Sequence, residues 1–156
     1  MAVISIETET TNFELLNRNI RLNRLTNAIS LNYAAYSKEA KIKLYLPNEQ
    51  QLGQSIYNTI MSDRAQSKEK FVEVKANTLG YLLQSNGIKQ EEVNWIKIDV
   101  EGAEYEVLKG AKDILSKSTD ISLLIEIHNL SGGTNLYKPI IEYLNLYHFK
   151  IDFEKI

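Results

Sequence analysis

The sequence contains no cysteine, which removes disulfides, thiolate metal sites and cysteine nucleophiles from consideration. No apolar run approaches the ~18 residues needed to span a bilayer. The opening stretch Met1–Glu9 is acidic and strand-like and lacks the basic region of a secretory signal, so a cytoplasmic location is expected. The net charge is only −2, which leaves no electrostatic basis for binding nucleic acid or an anionic membrane. Repeats, low-complexity segments and linkers are also missing. What is present is ordinary globular material. The chain has 156 residues, 44% hydrophobic and 24% charged, and reads as a single domain over residues 1–156. Such a domain buries roughly two-thirds of its unfolded surface.

The chain is organised around Ile96–Ala111. Ile96, Ile98 and Val100 form a short apolar run bounded by charge, the pattern of a buried parallel strand. Beyond it the period changes to about 3.6, with Ala103, Val107, Leu108 and Ala111 on one helical face. A strand running directly into a helix is half of a βαβ unit. Ligands of open α/β sheets bind beyond the carboxyl ends of the strands, which is where Asp99 and Glu101 fall. Gly102-Ala103 is expected to bring the helix close to the sheet.

Earlier in the chain, Val3–Ile6 reads as a strand with Glu7 at its carboxyl end. Glu7 is either a solvated loop acid or, in a dinucleotide-type fold, an acceptor for two ribose hydroxyls. Thr11 and Glu14 fit a capping box for a helix reaching about Asn23. Arg18, Arg21 and Arg24 make a basic stripe that reads as a solvated face. Ala28–Ala35 is a third strand-like run, with Asn32 and Tyr33 near its end, and Lys41–Leu46 alternates as an edge strand or hairpin arm. Pro47–Ser67 has no period and is either a functional lid, the natural candidate for acceptor contacts, or disordered. Lys70–Ala76 alternates again, and Leu79–Asn86 is a short helix closed by Gly87.

On the central strand, Trp95, Lys97 and Asp99 share one face, and a lysine inside a buried strand needs a counter-charge such as Asp99. Ile121–His128 is the next strand and places Glu126 and His128 together at its carboxyl end. If the two strands are neighbours, Lys97, Asp99, Glu126 and His128 meet as a polar cluster. That cluster is either a structural ion-pair network or an acceptor site. Asp99, Glu126 and His128 also suit a divalent cation, but spacing alone does not separate a metal site from hydrogen bonding. Ser131–Asn135 reads as a turn, Tyr137–Leu146 as an amphipathic helix with Pro139 in its first turn, and Tyr147–Phe153 as a final strand.

The wording of the central stretch, I-K-I-D-V-E-G-A-E-Y-E-V-L-K-G-A, followed by L-L-I-E-I-H at Leu123–His128, resembles the FkbM family of S-adenosylmethionine-dependent methyltransferases. Ile6–Asn23 is similar to the family's second strand and following helix. The resemblance implies an α/β fold, a Rossmann-like class I methyltransferase sheet truncated at the N-terminus. The glycine-rich first turn that cradles the methionine part of the cofactor has no counterpart before Val3. The implied cofactor is S-adenosylmethionine, held by Glu7, Asn32 and Asp99. The implied reaction is O-methylation of a small-molecule or glycan hydroxyl, with His128 as base beside Asp99 and Glu126. A rival reading follows from the missing strand: a non-catalytic half-protein that works as a homo-oligomer or with a complementing chain.

Overall fold

The computed structural model describes residues 2–46, 59–62, 70–128 and 135–152. Strand β1 (Val3–Ile6), helix α1 (Thr10–Leu22) and strand β2 (Ala28–Leu31) form a βαβ unit. The two strands pair in parallel, with Val3 opposite Ala28 and Ile6 opposite Leu31. The helix begins earlier than a Thr11 cap requires. Glu9 is the cap, and its carboxylate accepts the Asn12 N–H at 2.8 Å. A charged acceptor gains from the helix dipole as well as from the hydrogen bond, which a neutral hydroxyl does not. Burial opposes the Glu9 charge, but hydrogen bonds from the Thr11 and Asn12 backbone and the Thr11 hydroxyl outweigh it and lower the pKa. Arg18, Arg21 and Arg24 are exposed, as a solvated face requires.

The run Ala28–Ala35 is two strands, because β2 stops at Leu31 and Ala34–Ala35 forms a separate strand, β3. β4 (Ala40–Tyr45) and β3 flank β5 (Phe71–Asn77), β4 antiparallel and β3 parallel to it. Alternation in β4 places Leu44 in the core and Lys41 and Lys43 in solvent. Helix α2 (Leu79–Gln84) is capped by Thr78, whose hydroxyl accepts the Tyr81 N–H at 3.2 Å. Gly87 follows its end at φ +75°.

A second βαβ unit carries the central stretch. β6 (Trp95–Ile98) pairs in parallel with β7 (Ser122–Ile125), and α3 (Glu104–Gly110) and α4 (Lys112–Lys117) form the crossover. The expected adjacency of these two strands is therefore present. Leu108, Ile114 and Ile140 are fully buried, Ile140 on α5 (Tyr137–Asn145), so the crossover helices and α5 share one core with Ile98. Among the described residues no helix is long and apolar enough to cross a membrane.

Three further expectations are corrected. The fold is α/β, but the described strands fall into three sheets, β1–β2, β3–β5–β4 and β6–β7, and not one Rossmann-like sheet. A continuous parallel sheet needs a neighbour on both edges of each inner strand. Among the described residues β1 and β6 each have one neighbour, and they share no ladder. The second correction is Lys97, whose side chain is 58% exposed with its ion pair to Asp99 at 3.0 Å, because this face of β6 is open. The third is the final strand. Residues 147–152 hold none, since His148 at φ +62° breaks an extended run and Tyr147 and Phe149 bond back to Leu144 at the end of α5. The 131–134 part of the expected turn and Phe153 lie outside the described residues.

Candidate active site at the carboxyl ends of the strands

Two consecutive residues after β6 adopt the left-handed region, Glu101 at φ 53° and Gly102 at φ 101°. Glycine tolerates this conformation, whereas glutamate is strained in it, and such strain is concentrated at functional sites. The turn aims the Gly102 N–H at Glu104, whose Oε1 accepts it at 2.9 Å. Thr59 supports the turn from outside by donating its hydroxyl to the Glu101 carbonyl at 2.9 Å. Thr59 also pairs with Tyr45, so this part of the expected lid folds onto the site. Most of Pro47–Ser67 lies outside the described residues.

The same Glu104 Oε1 lies 2.7 Å from Nδ1 of His128. Glu104 is fully buried, and its other oxygen, Oε2, has no hydrogen-bond partner among the described residues. Oε1 already accepts the Gly102 N–H, so the pair suits a ring that donates from Nδ1. The ring's other nitrogen, Nε2, faces the carboxylates of Glu101 at 3.5 Å and Glu126 at 3.7 Å. Asp99, Glu101 and His128 present donor atoms all within 4.8 Å of one another.

Glu7 directly follows the end of β1. Its Oε1 accepts the Glu9 N–H at 2.8 Å, which ties it to the start of α1. Asn32 stands behind this loop, with its amide donating to the carbonyls of Glu7 at 3.0 Å and Thr8 at 3.2 Å. Glu7, Glu9, Asp99 and Glu101 line one cleft of about 480 Å³, walled by apolar residues that include Ala34, Leu44 and Ile60. Asn32 is not among the described residues lining it.

Glu7 and Asp99 therefore share a cleft, and Asp99 and His128 share a cluster. Glu126 is at the margin, 64% exposed, and Glu101 stands nearer the ring. Alternation along β7 cannot place residues 126–128, because the strand ends at Ile125. Glu104 is the residue that the sequence reading missed. One signal was available: Glu104, Leu108, Ala111 and Leu115 follow the i, i+4, i+7 spacing of a buried face.

Two βαβ units with an acidic cleft at their carboxyl ends define an α/β domain of the kind that binds a small ligand there. The model of the methyltransferase FkbM domain matches residues 2–151, and the chain belongs to this family. The fold is similar to the crystal structure of a methyltransferase FkbM from Methylobacillus flagellatus KT at 2.20 Å resolution, with TM-score 0.56 and 17% identity. That likeness covers 91% of this chain and 30% of the other, so the chain spans about a third of its relative's length. No curated protein matches the chain.

Proposed function

We propose that the chain acts as an S-adenosylmethionine-dependent O-methyltransferase on a hydroxyl of a sugar, glycan or small metabolite. The observation that carries this reading is the cleft itself, in a chain of this family, with carboxylates from β1 and β6 facing one space. S-adenosylmethionine, with a sulfonium and an ammonium against one carboxylate, is net positive. The lining suits it: four carboxylates and no lysine or arginine among the described lining residues. Glu7 holds the ribose hydroxyls, Asp99 orients the incoming group, and Ala34, Leu44 and Ile60 exclude water. When bound, the cofactor supplies a methyl group on a positively charged sulfur. His128 accepts the acceptor hydroxyl's proton at Nε2, because Glu104 keeps Nδ1 occupied. Glu126, at the exposed margin of the ring, faces the acceptor.

Calorimetric titration of S-adenosylmethionine into wild type and Glu7→Gln tests the assignment. The glutamine carbonyl keeps the bond from Glu9 but loses the charge that the ribose hydroxyls need. Hydrogen bonds to charged groups are worth about 1.5–3 kcal/mol, so affinity should fall about ten- to a hundredfold. Equal affinity in the two proteins would remove Glu7 from the site.

One observation favours a second reading, assembly with another copy or a complementing chain. β1 and β6 each have an unmatched edge among the described residues, and Val3 and Trp95 are exposed apolar residues on these strands. Open strand edges recruit further strands. Light scattering should then show a mass that rises with concentration, and a monodisperse monomer across the range would rule this reading out.

A further inference from the structure

Thr59 is fully buried, and its backbone and side chain are tied to different parts of the chain. Its N–H donates to the Tyr45 carbonyl at 3.2 Å, and its carbonyl accepts the Tyr45 N–H at 2.8 Å, a single bridge on β4. That bridge uses no side-chain atom, so valine would serve it equally well. The hydroxyl is used elsewhere. It donates to the Glu101 carbonyl at 2.9 Å and accepts the Met61 N–H at 3.1 Å. A hydroxyl has one proton, and here the carbonyl takes it, which fixes the direction of the side chain.

The carbonyl it meets belongs to the first residue of the left-handed pair, Glu101 at φ 53°. A non-glycine residue keeps this conformation only where its surroundings enforce it. Thr59 holds the turn on one side. On the other, the Gly102 N–H reaches Glu104, and the same Glu104 oxygen meets Nδ1 of His128. A turn released at Glu101 therefore loses its aim at Glu104 and, through Glu104, its hold on the ring. The next residue, Ile60, stands in the cleft wall with Leu44 and Ala34, so the same clamp places that wall. We infer that Thr59 is a positioning residue of the candidate active site. Its hydroxyl ties the Glu101–Gly102 turn to β4 and so sets both the cleft wall and the His128 tautomer. The use of this clamp in methyl transfer rests on the function proposed above; the clamp itself does not.

Nitrogen chemical shifts of the His128 ring, in protein without cofactor, test the clamp. Thr59→Val keeps the shape and removes the hydroxyl, and the ring should pass from mostly Nδ1-protonated to a mixture of tautomers. Thr59→Ala, which brings no methyl group against the Glu101 carbonyl, should do the same. Thr59→Ser should restore the wild-type shifts. Thr78→Val removes a helix-capping hydroxyl outside the cleft lining and should leave the ring unchanged. S-adenosylmethionine should bind the valine and alanine variants about three- to tenfold more weakly, the loss expected for one hydrogen bond, and the serine variant as it binds wild type. Wild-type ring shifts in both Thr59→Val and Thr59→Ala would overturn the inference. A serine variant that behaves like valine, or a Thr78→Val variant with the same ring change, would overturn it as well. If wild type binds no S-adenosylmethionine, the methyl-transfer reading falls, and the ring shifts still decide the clamp.

Discussion

Gly110→Ala should lower the thermal midpoint by roughly 5–10 °C. A Cβ built on Gly110 would lie 2.0 Å from the Tyr36 carbonyl oxygen and 3.4 Å from the Thr78 Cα, both backbone atoms. The carbonyl cannot retreat, because the Tyr36 N–H is bonded to the Asn77 carbonyl at 2.9 Å. Helix α3 is held on its own side by the Ser37 hydroxyl, which donates to Glu106 at 2.5 Å. Overpacking costs about 1–3 kcal/mol, and a collision with fixed backbone belongs at the upper end. The better helix propensity of alanine recovers at most about 1 kcal/mol. A net loss of about 2–3 kcal/mol corresponds to this shift in a chain of this size.

Two other glycines separate collision from conformational strain. At Gly80 the new Cβ meets only the flexible end of Gln90, at 2.8 Å, so Gly80→Ala should be nearly neutral. At Gly87 nothing lies within 4 Å, but φ is +75°, so Gly87→Ala should cost about 1 kcal/mol through strain alone. A Gly110→Ala midpoint within a degree of wild type would mean that α3 does not press on Tyr36.

Gly110 also shows where reading the sequence stops. The strand-to-helix change at Ile96–Ala111 was legible, since a period shift from two to 3.6 is a local property. A close backbone contact lies at Gly110, one helix length beyond the Gly102-Ala103 pair that the sequence singled out. Which glycine touches the sheet depends on where β3 lies, and no local pattern carries that. The same division runs through the site. Glu7 and Asp99 follow strands, and the strand-end rule placed both at one cleft. His128 was found because the parallel pairing of β6 with β7 was anticipated. The approach of Glu101 to the ring was not legible, because it follows a left-handed turn and backbone sign is not written in residue type. The three separate sheets were not legible either, since alternation identifies strands but not their neighbours.

Glu104→Ala should destabilise the protein by about 3–5 kcal/mol, the loss expected when one member of a buried charged network is removed. The effect follows from what the carboxylate holds. Without it the buried Gly102 N–H loses its acceptor and the left-handed Glu101–Gly102 turn loses its internal tie. The Nδ1 of His128 is orphaned at the same time, and the missing side chain leaves a cavity beside Leu108 in the core. One gain opposes these losses, because the wild-type Oε2 is already buried without a hydrogen-bond partner among the described residues. Glu104→Gln isolates that balance. Its carbonyl replaces Oε1 for both donors, so it should cost less than Ala, by about 1–2 kcal/mol. Urea unfolding should be measured in chelator, so that no bound cation adds to the stability of one variant and not another. Nitrogen chemical shifts of the His128 ring provide the independent readout. The Nδ1-protonated form should dominate in wild type and give way to a mixture of tautomers in Glu104→Ala. If Glu104→Ala unfolds within about 0.5 kcal/mol of wild type with the same ring shifts, Glu104 does not hold His128. The proton-accepting role given to Nε2 would then fall with it.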